Sequence, residues 1–128
     1  MKKNISIFHF QKDTGIMEIQ QTGIVNLDTI HLHYQEIMAV KTLPNHLKIL
    51  IDCSKAQFDM DINEIGKIAG YLKHAVSVCA QLSEAIVVNQ PYETAVTTLY
   101  SDTHSGLPNY QFQVFSTREA AIGWLKSV

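Results

Sequence analysis

The sequence predicts an α/β domain built on a mixed sheet, and two observations carry that prediction. Apolar runs with the two-residue period of strands alternate along the chain with segments whose apolar residues recur every three or four positions. The first two strand-like runs follow one another across a short turn with no helix between them. That pair is therefore antiparallel, whereas strands joined through helices pair in parallel. A chain of 128 residues, 46% of them apolar, can bury one core of ordinary size. No internal repeat, low-complexity tract or linker divides it, so residues 1–128 read as a single domain.

The elements follow in order. "ISIFHF" (Ile5 to Phe10) alternates apolar and polar, and "GIMEIQQTG" (Gly15 to Gly23) is its hairpin partner across the turn residues "KDTG". Asn26 or Asp28 caps a helix carrying Ile30, Tyr34, Ile37, Met38 and the stem of Lys41 on its apolar side, with Pro44 just past its end. "LKILID" (Leu47 to Asp52) is a nearly continuous apolar strand of the kind buried in a sheet. From Asp61 to Ala80 the residues Ile62, Ile65, Ile68, Ala69, Leu72, Ala75, Val76 and Cys79 form one helical stripe, capped by Asp59 or Asp61. Gly66 and Gly70 lie one turn apart on that helix, and close approach to the sheet or to a partner subunit would offset their cost. "EAIVVN" (Glu84 to Asn89) is a second buried strand. Pro91 suits the first position of the helix in "QPYETAVTTLYSDTH", and "SGLPN" (Ser105 to Asn109) breaks the chain. "YQFQVF" (Tyr110 to Phe115) is the last strand. Ser116 and Glu119 have capping-box spacing before a helix that turns Ala120, Ala121, Trp124 and Leu125 inward. The order is β-β-α-β-α-β-α-β-α, a mixed sheet with a mostly parallel second half and packed helices. Three strand ends, at Asp52-Ser54, Asn89-Gln90 and Phe115-Ser116, fall at the edge where open α/β sheets bind ligands.

Composition narrows the function. The net charge is −2, and Lys2-Lys3 is the densest basic cluster, so a nucleic-acid partner is not expected. No apolar run approaches the roughly 20 residues that span a bilayer, and the amino-terminal segment alternates too soon for a secretory signal. The expected location is cytoplasmic, with no membrane insertion, and there Cys53 and Cys79 stay reduced. Charged residues make up only 17%, which leaves room for a self-association interface and hence a homodimer.

Motifs for chemistry are sparse. Neither phosphate-binding glycine pattern is present, so no nucleotide cofactor is expected. His31 and His33, two apart on a helix, point to different sides, and His9, His46, His74 and His104 lie in separate elements. All six read as surface or interfacial residues, with no metal site among them. "DCS" (Asp52, Cys53, Ser54) offers nucleophile types, but no partner residue is selected for them and no nucleophile-elbow pattern occurs. Asp52 at a strand end is reminiscent of a phospho-accepting aspartate. The first strand, however, ends in Phe10-Gln11-Lys12-Asp13, without the acidic pair that would hold Mg²⁺, so Asp52 is expected to bond backbone N–H groups instead. No catalytic residue is assigned.

Taken together, the hairpin, "ILID" leading through an acidic loop into an amphipathic helix, "AIVV", and the closing "VFSTREAAIGWL" resemble the STAS fold. The resemblance is to its SpoIIAA-like group, also labelled STAS/SEC14-like, and runs from about Leu27 to Val128. It implies a small regulatory or binding domain without enzymatic activity. In that family's anti-sigma-factor antagonists a phosphorylatable serine follows an aspartate at the start of the second helix. Here Asp61 falls on the aspartate and Ile62 on the acceptor position, and Ser54 lies several residues too early, so no phosphorylation site is expected. Asp59 and Asp61 either imitate a permanently phosphorylated state or, more simply, cap the helix. The leading expectation is a protein-binding domain whose contact surface comprises Ser54, Phe58, Asp59, Asp61, Ile62, Asn89, Gln90 and Tyr92. Its alternatives are a carrier of a small apolar or lipid-like ligand, held between helices and sheet, and a small enzyme using Asp52, Cys53 or His104.

Overall fold

The computed structural model describes residues 4–104 and 106–128. Lys2, Lys3, Ser105 and the side chain of Ile62 lie outside the described residues. The elements are β1 (Ile5–Gln11), β2 (Ile16–Val25), α1 (Leu27–Met38), β3 (His46–Phe58), a 3-10 segment (Ile62–Lys67), α2 (Ile68–Cys79), β4 (Gln81–Val87), α3 (Pro91–His104), β5 (Tyr110–Phe115) and α4 (Arg118–Ser127). They form one five-stranded sheet in the order β1-β2-β3-β4-β5. β1 is antiparallel to β2, and β2 to β5 run parallel. The element order and the mixed sheet are those the sequence predicts.

Each connection joins neighbouring strands. Right-handed crossovers that step the same way every time put their helices on one face of the sheet. On that face Tyr34 and Ile37 of α1, Leu72, Ala75 and Cys79 of α2 and Val96 and Tyr100 of α3 meet Ile19, Ile49 and Ile86. Among the described residues, α4 is the helix on the other face, where Ala121 and Leu125 cover Ile16, Leu50, Ala85 and Val87. It does not reach β1, whose Ile5 and Ile7 are 47% and 58% exposed.

An ion pair between half-exposed Arg118 and buried Glu18 ties α4 to β2. The Nε and Nη2 atoms of Arg118 donate to the two carboxylate oxygens of Glu18 at 2.8 and 2.7 Å. This pairing holds the Glu18 carboxyl below its usual range against the opposing effect of burial. Gln11 and Gln20 also donate to Glu18. Because the arginine is partly exposed and these amides remain, Arg118→Ala is expected to cost only about 1–2 kcal/mol in urea unfolding. A loss under about 0.5 kcal/mol would show that α4 is held by its apolar face alone.

Several elements differ from expectation. β3 does not end at Asp52 but runs on to Phe58, because its second half pairs with Thr22–Val25 of β2. Between these pairings two steps along β2, from Gln20 to Thr22, match three along β3, from Asp52 to Lys55. β3 therefore carries one extra residue there, a bulge. Asp52 Oδ1 accepts the Ser54 N–H at 3.0 Å within the bulge. The Asp-Cys-Ser triplet is thus inside a strand and not at its end. The single helix expected from Asp61 to Ala80 is a 3-10 segment followed by α2, with Asp61 capping the former through Asn63 N–H. Gly66 and Gly70 make no close approach, for nothing lies within 4 Å of where a Cβ would stand. α1 stops at Met38, so exposed Lys41 lies outside it. Asn26 is its cap, closing a box with Thr29. Thr117, not Ser116, caps α4. Ala121 and Leu125 are its buried residues, while Ala120 is exposed and Trp124 leans on Phe115 at 5.8 Å.

Candidate functional site

β3 outruns β4, because its last pairing with β4 is Asp52 with Val87 and six residues follow it. The chain that leaves β3 is held against the start of α3. Phe58 N–H donates to Glu93 Oε2 at 3.0 Å, Asp59 N–H donates to Val25 O at 2.8 Å, and the Tyr92 hydroxyl donates to Met60 O at 3.4 Å. Glu93 is buried in the first turn of α3, where a carboxylate suits the positive end of a helix. These bonds bring most of the predicted contact residues to one end of the sheet. Asp59, Asp61, Asn89 and Gln90 are exposed there, and Tyr92 is 52% exposed. Two predicted residues do not share that role. Phe58 is buried because it is an inward position of β3, and Ser54 is half-buried at the bulge. The side chain of Ile62 lies outside the described residues.

A second constellation lies under the helices, and sequence reasoning missed it. Glu84, in the interior strand β4, is 2% exposed. Its Oε2 accepts the Tyr34 hydroxyl of α1 at 2.9 Å, and its Oε1 accepts the Tyr110 hydroxyl of β5 at 2.7 Å. Tyr110 has then given away its proton, so the Tyr100 hydroxyl of α3 donates to it at 2.8 Å. Burial pushes the Glu84 carboxyl above its usual range, and the two tyrosine donors offset part of that. Burial likewise pushes the hydroxyls of Tyr34, Tyr100 and Tyr110 well up. The periodicity of "EAIVVN" places Glu84 in a strand. The signal that finds it is that Glu84 and Ile86 share a face in a segment whose neighbours are apolar.

This network borders a cavity of about 60 Å³ between the sheet, α1, α3 and the 3-10 segment. The lining is apolar apart from Glu84, Tyr34, Tyr100, His33, Thr97 and Cys53. Two histidines are buried, contrary to their expected surface role. His33 Nε2 is 2.7 Å from Gln21 Oε1, an atom that only accepts, so Nε2 carries the proton. Gln21 in turn donates to Thr22 O and to Asn4 Oδ1, which links β2 and α1 to the residue just before β1. Burial pulls the His33 pKa down to about 4. His104 is buried at the other end of α3, its Nδ1 donating to Tyr100 O at 3.0 Å. His31 is exposed and stacks on Tyr71 at 4.7 Å.

The nucleophile types are poorly placed for chemistry. Burial drives the Cys53 thiol far up, helped by the negative charges of Asp52, Glu84 and Glu93. A thiol so raised is not a thiolate at neutral pH. Asp52 is engaged with the bulge, and His104 lines a different depression from the one Cys53 lines. Among the described residues no three His, Cys, Asp or Glu side chains converge as metal ligands. No described helix is long and apolar enough to cross a membrane.

No protein-family model and no curated protein sequence matches the chain. Solved structures match its fold. One is the crystal structure of an uncharacterized protein of the DUF3478 family with a SpoIIAA-like fold, from Shewanella loihica PV-4. It is 15% identical, with a TM-score of 0.58, and the match covers 98% of this chain and 95% of that one. Another is the anti-sigma factor antagonist SpoIIAA in its unphosphorylated form, 15% identical with a TM-score of 0.55, covering 97% of this chain and 100% of that one. The chain therefore has the SpoIIAA-like fold, as its sequence predicts.

Proposed function

We propose that this SpoIIAA-like domain is a non-enzymatic binding module that regulates a partner protein through the surface at the end of β3. The observation that carries the reading is Tyr92. An aromatic side chain, 52% exposed, is held by its hydroxyl to Met60 O beside a loop whose exposed side chains are Asp59 and Asp61. An exposed aromatic ring with a polar rim is the arrangement that anchors protein interfaces. The acidic rim favours a partner with basic residues around an apolar pocket. The SpoIIAA of known structure, an anti-sigma factor antagonist by name, supports a regulatory role for the fold. Position 62 carries isoleucine, so the contact is not gated by phosphorylation there.

The test places a photo-crosslinking amino acid at position 92 and, as a control, at Ile7 on the remote edge of the sheet. A discrete protein adduct is expected from position 92 alone, reduced about tenfold or more when Asp59 and Asp61 are both changed to lysine. Adducts at equal yield from both positions, or none from position 92, would sink the proposal.

A further inference from the structure

The polar side of the cavity consists of acceptors. Tyr34 and Tyr110 give their protons to Glu84, Tyr100 gives its proton to Tyr110, and Thr97 donates to Glu93 O. His33 spends its N–H on Gln21 Oε1. The Cys53 thiol is the weak exception. Each Glu84 oxygen receives one hydrogen bond and retains a further lone pair. No cation pairs with this carboxylate among the described residues, where the one salt bridge is Arg118 with Glu18. Burial beside an apolar hollow disfavours the charged form of Glu84, and a ligand that brings both a donor and a positive charge is the kind that restores it. The volume sets the size. About 60 Å³ holds roughly five water-sized atoms at ~10–15 Å³ each.

We propose that the cavity bounded by α1, α3 and the 3-10 segment is a binding site for a small primary amine with a short apolar body, its ammonium group seated on the unused lone pairs of Glu84. The apolar body lies against Ile37, Ile65, Ile68 and Val96, which line the same hollow. An alcohol of the same shape brings one donor and no charge. A carboxylate brings a like charge and is rejected. A hollow of about 60 Å³ suits a short apolar body better than a long chain. The hollow shares Phe58 and Met60 with the end of β3, but amine binding and protein crosslinking are separate readouts, so either can fail without the other.

The experiment is an NMR titration of ¹⁵N-labelled protein at neutral pH with butylammonium, 1-butanol and butyrate. Butylammonium is expected to shift the amides around Glu84 and from Val96 to Tyr100 at about tenfold lower concentration than 1-butanol, the equivalent of one charge-assisted hydrogen bond. Butyrate leaves them unmoved. Glu84→Gln brings the amine down to the level of the alcohol, and Val96→Phe, which fills the hollow, removes both responses. Equal titration by amine and alcohol in the unsubstituted protein overturns the proposal. So does an absence of shifts at those amides, or an amine preference that survives Glu84→Gln. If Glu84→Gln does not fold, the three-ligand comparison and Val96→Phe decide the matter without it.

Discussion

Lowering the pH is expected to weaken the fold by about 3 kcal/mol between pH 6.5 and about 4 through His33 alone. In the unfolded chain this imidazole takes up a proton near 6.5, whereas in the folded protein burial delays that until about 4. A depressed folded-state value means that the contribution is complete above 6.5 and is lost as the pH falls through 4. The geometry supplies the reason. Nε2 already carries its proton for Gln21, so a second proton must go to Nδ1, within a site where the ring is 3% exposed and meets the edge of Phe8. About 2 kcal/mol of the effect is present by pH 5, above the range where Glu18 begins to add a loss of the same sign. Glu84 acts in the opposite sense, since its raised value makes protonation favour the folded state. The difference between the natural protein and His33→Gln isolates the histidine. Urea unfolding from pH 7 to 5 should show the two curves converging on acidification, and parallel curves would mean that His33 charges freely in the folded state.

Tyr110→Phe is expected to destabilise the protein by about 2–3 kcal/mol, a large effect for one oxygen atom. The hydroxyl serves two neighbours, donating to Glu84 at 2.7 Å and accepting from Tyr100 at 2.8 Å. Its removal leaves a buried carboxylate with one donor fewer and a buried hydroxyl without its acceptor. Glu84→Gln is expected to cost much less, about 1 kcal/mol or under at neutral pH. The amide oxygen can still accept a tyrosine proton, and the burial of a charge is relieved. In the Tyr110→Phe background the glutamine is expected to recover part of the loss, a coupling that a double-mutant cycle in urea measures. Additive effects of the two substitutions would mean that the hydroxyl and the carboxylate are energetically independent.

The fold was legible because its elements announce themselves locally. "LKIL" and "AIVV" are apolar runs, and the stripe from Ile65 to Cys79 has helical spacing. What was missed depends on residues distant in the chain. The extension of β3 through "CSKAQF" looks like a polar loop until Thr22–Val25 arrive to pair with it across a bulge, which turns Cys53, Ala56 and Phe58 inward. Asp59, Asp61, Asn89, Gln90 and Tyr92 were expected on a surface, and they are exposed. Phe58 was expected there too, and its burial follows from that longer strand. The Glu84 network was illegible for a related reason. Its three tyrosines come from α1, α3 and β5, and nothing near Glu84 in sequence foretells that they converge on it. His33 reads as half of an exposed "HLH" pair until Gln21 and Ser6 are brought against it.

The solitary position of α4 has a consequence for the order in which the molecule can be completed. Neighbouring strands are neighbours in sequence, so each strand and its helix can dock on what has already formed, with little chain to close. Synthesis from the amino terminus suits that plan on the face of α1 to α3. The opposite face is different. Ile16, Leu50, Ala85 and Val87 stay open to water until the segment after Phe115 has emerged and Arg118 has crossed 100 residues of sequence to reach Glu18. A nascent chain thus carries a finished face and a bare one together, and α4 acts as the latch that ends its exposure to chaperones and to other unfinished chains.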